Sequence, residues 1–258
     1  HAGVLKKFGL SGLLRIALPL LPQGPQVAWV QQALLVMLLG NILVMGLVTI
    51  HQKRLDDMLA NSSVMHMGYI FLGLAAGTEI ALKGAVLLMF GHGISIALLF
   101  ALCGRMRNQL GTLEMDKLGG LGVHAPFLNV VFAFGAFASI GLPGLANFAG
   151  EVMVFLGAFS QGGSATTLIP EQGLTALHWT VVLALWGVVI SAVYMLRGYR
   201  SLFQGTPQTG LFMSDPSRGQ CLPLLILAAV LLVAGCFPGL LLDLITFPLA
   251  MVPGVPAP

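Results

Sequence analysis

Charge is what this sequence has least of. Of its 258 residues, 8% are Asp, Glu, Lys or Arg and 57% are hydrophobic, with a mean hydropathy of +0.94. Soluble domains carry roughly 25% charged residues, so a wetted globular surface is excluded and an integral membrane protein is implied. Cysteine is scarce too. Cys103, Cys221 and Cys236 are odd in number and lack metal-type spacing, which argues against a disulfide framework or an iron–sulfur site and leaves small buried hydrophobes. No Walker-type loop or dinucleotide fingerprint occurs, so any redox cofactor is expected in a partner, with none bound by this chain. The net charge of +3 sits in a few loops, which removes nucleic acid as a partner. No signal peptide is expected, because the opening residues lack the order of basic region, short apolar core and cleavage site. The start on His1, inside an apolar segment, reads as a portion of a longer membrane protein.

What is present is length of apolar run. About seven segments stand out, at 2–21, 27–50, 58–76, 80–103, 125–159, 174–197 and 219–242, most long enough to cross ~30 Å of hydrocarbon as a helix. The reading is therefore all-α: a polytopic membrane helix bundle in the lipid bilayer. The fifth segment is too long for one unbroken pass and contains Pro143-Gly144. Pro143 has no N–H and clashes with the carbonyl of Ser139, so a helix arriving from Phe127 must open there. Backbone groups freed at membrane depth survive only where protein or a water-filled cavity satisfies them, so the break predicts an internal polar site.

Loop charge decides how often that segment crosses. Lys53 and Arg54, then Arg105, Arg107 and Lys117, then Arg197, Arg200 and Arg218 fall in alternate connections, whereas 22–26, 77–79 and 160–173 contain no Lys or Arg. Lys and Arg collect on the cytoplasmic side. The alternation keeps step only if the broken segment crosses once. The first segment then enters from the cytoplasm and the C-terminus lies outside.

The ionisable groups inside these runs are the candidate chemistry. Glu151 lies about two turns beyond the break, where a charge costs at least ~2.5 kcal/mol and reads as functional by default. Lys7 either snorkels to headgroups or faces an interior cavity; Lys6 points about 100° away and cannot share that cavity. His66 and His92, in adjacent segments, suit either a proton relay or neutral interhelical hydrogen bonds. No i,i+4 ligand pair supports a metal there. Glu79 and Lys83 read as an exposed ion pair, Arg15 and Asp243 as segment ends, and His178-Trp179 as an interfacial anchor. Gly73 and Gly77 form a small-xxx-small pair for a close helix approach.

Three stretches carry a resemblance: Asn61-Ser62-Ser63-Val64-Met65-His66-Met67-Gly68; Gly84-Ala85-Val86 through Gly91-His92-Gly93; and Ala138 to Gly144 continuing to Asn147-Phe148-Ala149-Gly150-Glu151. With Asp116 to Leu121 and Ala2 to Gly9, they make the chain similar to the antiporter-like, proton-translocating membrane subunits of respiratory complex I. Most relatives carry lysine at the position of Glu151; the M-type branch carries glutamate, and the resemblance places this chain there. It implies the last half of a fourteen-helix fold, with 2–21 preceding a second inverted five-helix repeat at 27–197 and 219–242 as the last helix. It further implies a relay of Lys7, His66, His92 and Glu151, other membrane subunits of the complex as partners, and NADH, FMN, iron–sulfur clusters and quinone held in partner subunits. A multi-pass location in a bacterial inner membrane follows. A cation/proton antiporter or membrane-bound hydrogenase subunit is the alternative. The chain departs from the pattern at Asp56-Asp57, where relatives usually have a basic pair, and at Asn61, where they usually have Tyr.

Overall fold

A computed structural model describes residues 2–12, 28–160, 173–208 and 212–249. All its long elements are helices: α1 (Leu5–Gly12), α2 (Ala28–Ile50), α3 (Leu55–Ala76), α4 (Glu79–Leu110), the single turn α5 (Leu121–His124), α6 (Pro126–Ile140), α7 (Ala146–Phe159), α8 (Ala176–Phe203), α9 (Arg218–Cys236) and α10 (Gly239–Leu249). Five of them, α2, α3, α4, α8 and α9, have the length and apolarity to cross a membrane, and α6 and α7 are shorter apolar halves. Arg15, the rest of the first segment and the glycine-rich loop around Gly162 lie outside the described residues.

Local chemistry sets the helix ends. Asp56 and Asp57 place negative charge in the first turn of α3, where the dipole favours it. The helix stops at Gly77, whose φ of 66° suits a residue without Cβ. Gly77 is therefore a cap, and Gly73 alone makes the close approach, its Cα facing the Ala81 carbonyl and Ala85. Thr78 opens α4 by accepting from Ala81 N–H at 3.3 Å, and Gly111 closes it at φ 70°. Pro126 opens α6, where its missing N–H costs nothing. That helix is capped from a distance, because Asp215 accepts from Phe127 N–H at 3.0 Å and Leu128 N–H at 3.1 Å.

The final segment differs from the expected single helix over 219–242. It ends at Cys236 and restarts at Gly239, since Pro238 holds Phe237 in a non-helical conformation with ψ 61° and offers no N–H. Helices α4 and α8 also overrun the expected ends, reaching Leu110 and Phe203. Of the cysteines, Cys103 is buried, Cys221 half-buried and Cys236 exposed, so burial holds for one of the three.

The tightest packing is between α4 and α7, and glycine makes it possible. A Cβ on Gly84 would stand 2.8 Å from Val154 N, and one on Gly150 would stand 2.7 Å from Leu88 N. The two backbones touch there, as small residues allow in membrane bundles.

The basic connections meet at one end. Leu55 N–H donates to Leu113 O, Met115 N–H to Lys53 O and Gly120 N–H to Gln204 O. Asp56 pairs with Arg54 at 3.0 Å and with Arg107, and Asp57 with Arg54 at 3.4 Å, so the acidic departure neutralises cations clustered there. Lys117, 2.8 Å from Glu114, holds that carboxyl below its usual range. Arg197 caps the end of α2 through the carbonyls of Ile50 and Gln52. At the opposite end Thr78 Oγ1 donates to Gly157 O at 2.9 Å and His178 packs on Phe159. The broken pair α6–α7 starts at the basic end and finishes at the other, which is one crossing.

Candidate functional site

The site is built from the break outward. With proline at 143, the carbonyl of Ser139 has no helical N–H four residues on. Its oxygen instead faces His66 Nε2 at 3.0 Å, from α3. Gly141 follows in the left-handed region, φ 85°, and ends α6. The absent Cβ matters: the Glu151 carboxyl group fills that space, its Cδ 3.1 Å from where a Gly141 Cβ would stand. Helical side chains lean toward the N-terminus, which is how a residue in the second turn of α7 reaches back to the gap. Glu151 Oε1 then lies 3.9 Å from His66 Nε2, the pair almost wholly buried.

His66 is held at both nitrogens by carbonyl oxygens, Nδ1 facing Ser62 O at 2.9 Å and Nε2 facing Ser139 O. A neutral imidazole offers one N–H and an imidazolium two. The cradle thus satisfies one carbonyl when the ring is neutral and both when a proton arrives, with a carboxylate next to the new charge. At 3.9 Å the carboxyl is beyond direct hydrogen bonding, so transfer needs a small motion or one water.

His92 of α4 stacks on His66, centroids 4.8 Å apart and planes 13° from parallel. Its Nε2 is 3.1 Å from Ser63 Oγ, and its Nδ1 is buried without a partner among the described residues. Asn147 of α7 donates to Ser95 Oγ at 3.3 Å, one turn along α4 from His92. Lys7 is 8% exposed and donates to Ala2 O at 2.6 Å. Its segment crosses α4 where Gly3 and Gly93 meet, next to His92. The structure thus gathers His66, His92 and Glu151 around the break and sets Lys7 beside them.

Several polar groups here were not singled out from sequence. Ser62 Oγ and Tyr194 OH are 2.8 Å apart and fully buried, linking α3 to α8 toward the basic end. Tyr69 stands edge-on to His66 at 5.6 Å, its hydroxyl buried. Tyr69 OH, Ser139 Oγ and Asn147 Oδ1 have no hydrogen-bond partner among the described residues, a concentration of unsatisfied polar atoms that marks a place for water. Ser62 and Asn147 stood inside motifs already noted; Tyr69 and Tyr194 lie in apolar runs with nothing to flag them. His178 is corrected outright. Its ring is buried and caps α8 with Thr175, while Trp179 beside it is exposed.

Comparison with known proteins gives a consistent match. A family profile described as "NADH:quinone oxidoreductase/Mrp antiporter, TM" covers residues 2–177. NADH-quinone oxidoreductase subunit M of Pseudomonas aeruginosa is 35% identical over 245 residues, 94% of this chain and 44% of that protein. A chain of respiratory complex I from Thermus thermophilus with bound NADH superposes with TM-score 0.79 at 30% identity, covering 95% of this chain and 50% of that one. The membrane-bound sulfane sulfur reductase, an archaeal respiratory membrane complex, has a chain of the same fold, TM-score 0.81 at 24% identity over 97% of this chain and 48% of that one. The chain therefore spans about half the length of the proteins it matches.

Proposed function

This chain belongs to the NADH:quinone oxidoreductase/Mrp antiporter transmembrane family, and from that premise we propose that it is part of the M-type proton-translocating subunit of an NADH:quinone oxidoreductase in a bacterial inner membrane. Lys7, His92, His66 and Glu151 pass a proton laterally through the bundle interior. The chain itself does no redox chemistry. NADH, FMN, iron–sulfur clusters and quinone belong to partner subunits, and quinone reduction there drives the relay through charge. Each change of protonation biases its neighbour, and moving one charge against 100 mV requires about 2.3 kcal/mol. Residues 27–197 form one five-helix repeat in this reading, and the portion of the relatives beyond this chain carries the other.

The observation that supports this best is the buried His66–Glu151 pair, 3.9 Å apart at the break, with the proline-freed Ser139 carbonyl on the same ring nitrogen. The test is Glu151→Gln in the assembled complex in sealed vesicles. Proton yield per NADH should fall by at least about tenfold, as expected for a lost acid–base group, while uncoupled quinone reduction persists. Unchanged proton yield would refute the role. The family profile also names antiporters, and a sodium-dependent pH response without quinone-reducing partners would favour that reading.

A further inference from the structure

His178 lies outside the relay, and one of its ring nitrogens is buried without a hydrogen-bond partner among the described residues. It is fully buried in the first turn of α8, at the end of the bundle opposite the basic loops. Nδ1 accepts from Thr175 N–H at 3.1 Å and lies 2.6 Å from Thr175 Oγ1. A neutral imidazole has one N–H, so with Nδ1 accepting, the proton sits on Nε2. That nitrogen is buried and has no hydrogen-bond partner among the described residues. A helix cap needs only the acceptor, which glutamine supplies at the same position in a capping box. The imidazole adds a buried donor, unpaired among the described residues, that capping leaves unexplained.

The ring's other neighbours lead back to the relay. His178 stands edge-on to Phe159 of α7, centroids 4.9 Å apart at 88°. One turn nearer Glu151, Phe155 meets Tyr69 edge-on at 5.4 Å, and Tyr69 meets His66 at 5.6 Å. Glu151 and Phe159 are about 12 Å apart along α7, at ~1.5 Å per residue. Among the described residues two polar atoms toward the ends of that stretch have no hydrogen-bond partner, the Tyr69 hydroxyl, which faces Gly187 of α8, and His178 Nε2, and water satisfies such groups. Thr175, on the outer side, is exposed.

We infer that His178 is the proton port between the Glu151 relay and the membrane face opposite the basic loops, with the Thr175 hydroxyl as its contact with solvent. The inference rests on the relay reading above. In the tautomer seen here Nε2 carries the proton and Nδ1 accepts, so transfer inward runs directly: Nε2 gives its proton to the interior, Nδ1 takes the Thr175 Oγ1 proton, and that oxygen takes one from water, leaving the ring neutral with its proton on Nδ1. Transfer outward is the reverse, from the Nδ1–H form back to the tautomer seen, and in either direction the ring must turn over in its pocket before the next proton passes. The two aromatic rings of α7 keep the stretch narrow, and the imidazole is the group that can both take and give a proton.

His178→Gln in the complete complex in sealed vesicles is the test, because it keeps the cap and removes proton exchange. Proton yield per NADH should fall by at least about tenfold, with assembly and uncoupled quinone reduction retained. In His178→Ala, millimolar imidazole added on the Thr175 side should restore part of the yield, which a structural role would not do. Parental yield in His178→Gln, or no rescue of His178→Ala by imidazole, overturns the port. Glu151→Gln run alongside separates the two ideas: if it loses its yield while His178→Gln keeps it, the port fails and the relay stands. If both pump normally, both fail. Should neither His178 variant assemble, histidine C2–H exchange into deuterated solvent on the unsubstituted complex decides. A working port exchanges at His178, and a sealed structural ring does not.

Discussion

His66 shows how one side chain is made to serve two neighbours. Its ring meets carbonyls on both sides, one supplied by its own helix four residues back and one by the broken helix across the bundle. Replacement by glutamine keeps an N–H for one of them and removes the capacity to take up a proton. Proton yield in His66→Gln should therefore fall by at least about tenfold, measured as for Glu151→Gln. Tyr194 tests the reverse case. It shares a buried hydrogen bond with Ser62, so Tyr194→Phe should cost about 1 kcal/mol of stability by detergent thermal unfolding. Both histidines were visible in the sequence because ionisable groups are rare in oily segments. The tyrosines were not, since an aromatic with one hydroxyl looks like any other core residue until its neighbour across the bundle is known. His178 was misread for a related reason. Beside tryptophan it suggested a headgroup anchor, yet adjacent residues point about 100° apart around α8, and here one is buried and one 55% exposed.

At the scale of elements the decisive feature is the interruption between α6 and α7, foreseen from Pro143-Gly144, although the helix already ends at Gly141, φ 85°. The proline removes a donor, the Ser139 carbonyl is left over, and the structure hands it to His66. Pro143→Ala puts a competing N–H back within reach of that carbonyl. Proton yield should drop several-fold while thermal stability holds or rises, in the same vesicles and unfolding assay. The contact of α4 with α7 was less legible, because glycine is common throughout membrane helices. Only the packing shows that Gly84 and Gly150 meet backbone atoms directly. Gly150→Val should destabilise by about 1–3 kcal/mol or more through overpacking, seen as loss of assembled complex. The remote cap on α6 was beyond sequence reasoning, as Asp215 is far from it along the chain.

For the whole molecule, loop charge proved the most informative pattern. The basic connections converge on one end and the broken segment crosses once, which follows from counting Lys and Arg in alternate loops. In a cysteine-free background, Asp116→Cys should be labelled by a membrane-impermeant thiol reagent from the cytoplasmic side and Leu174→Cys from the other. Labelling of both from one side would invert or break this topology. The central claim at this scale is that a proton passes through Glu151 during turnover. Infrared difference spectroscopy of the reconstituted complex, triggered by NADH, measures that most directly. A protonated-carboxyl band that changes with turnover and is absent from Glu151→Gln is the result expected; turnover with full proton yield and no such band would contradict it.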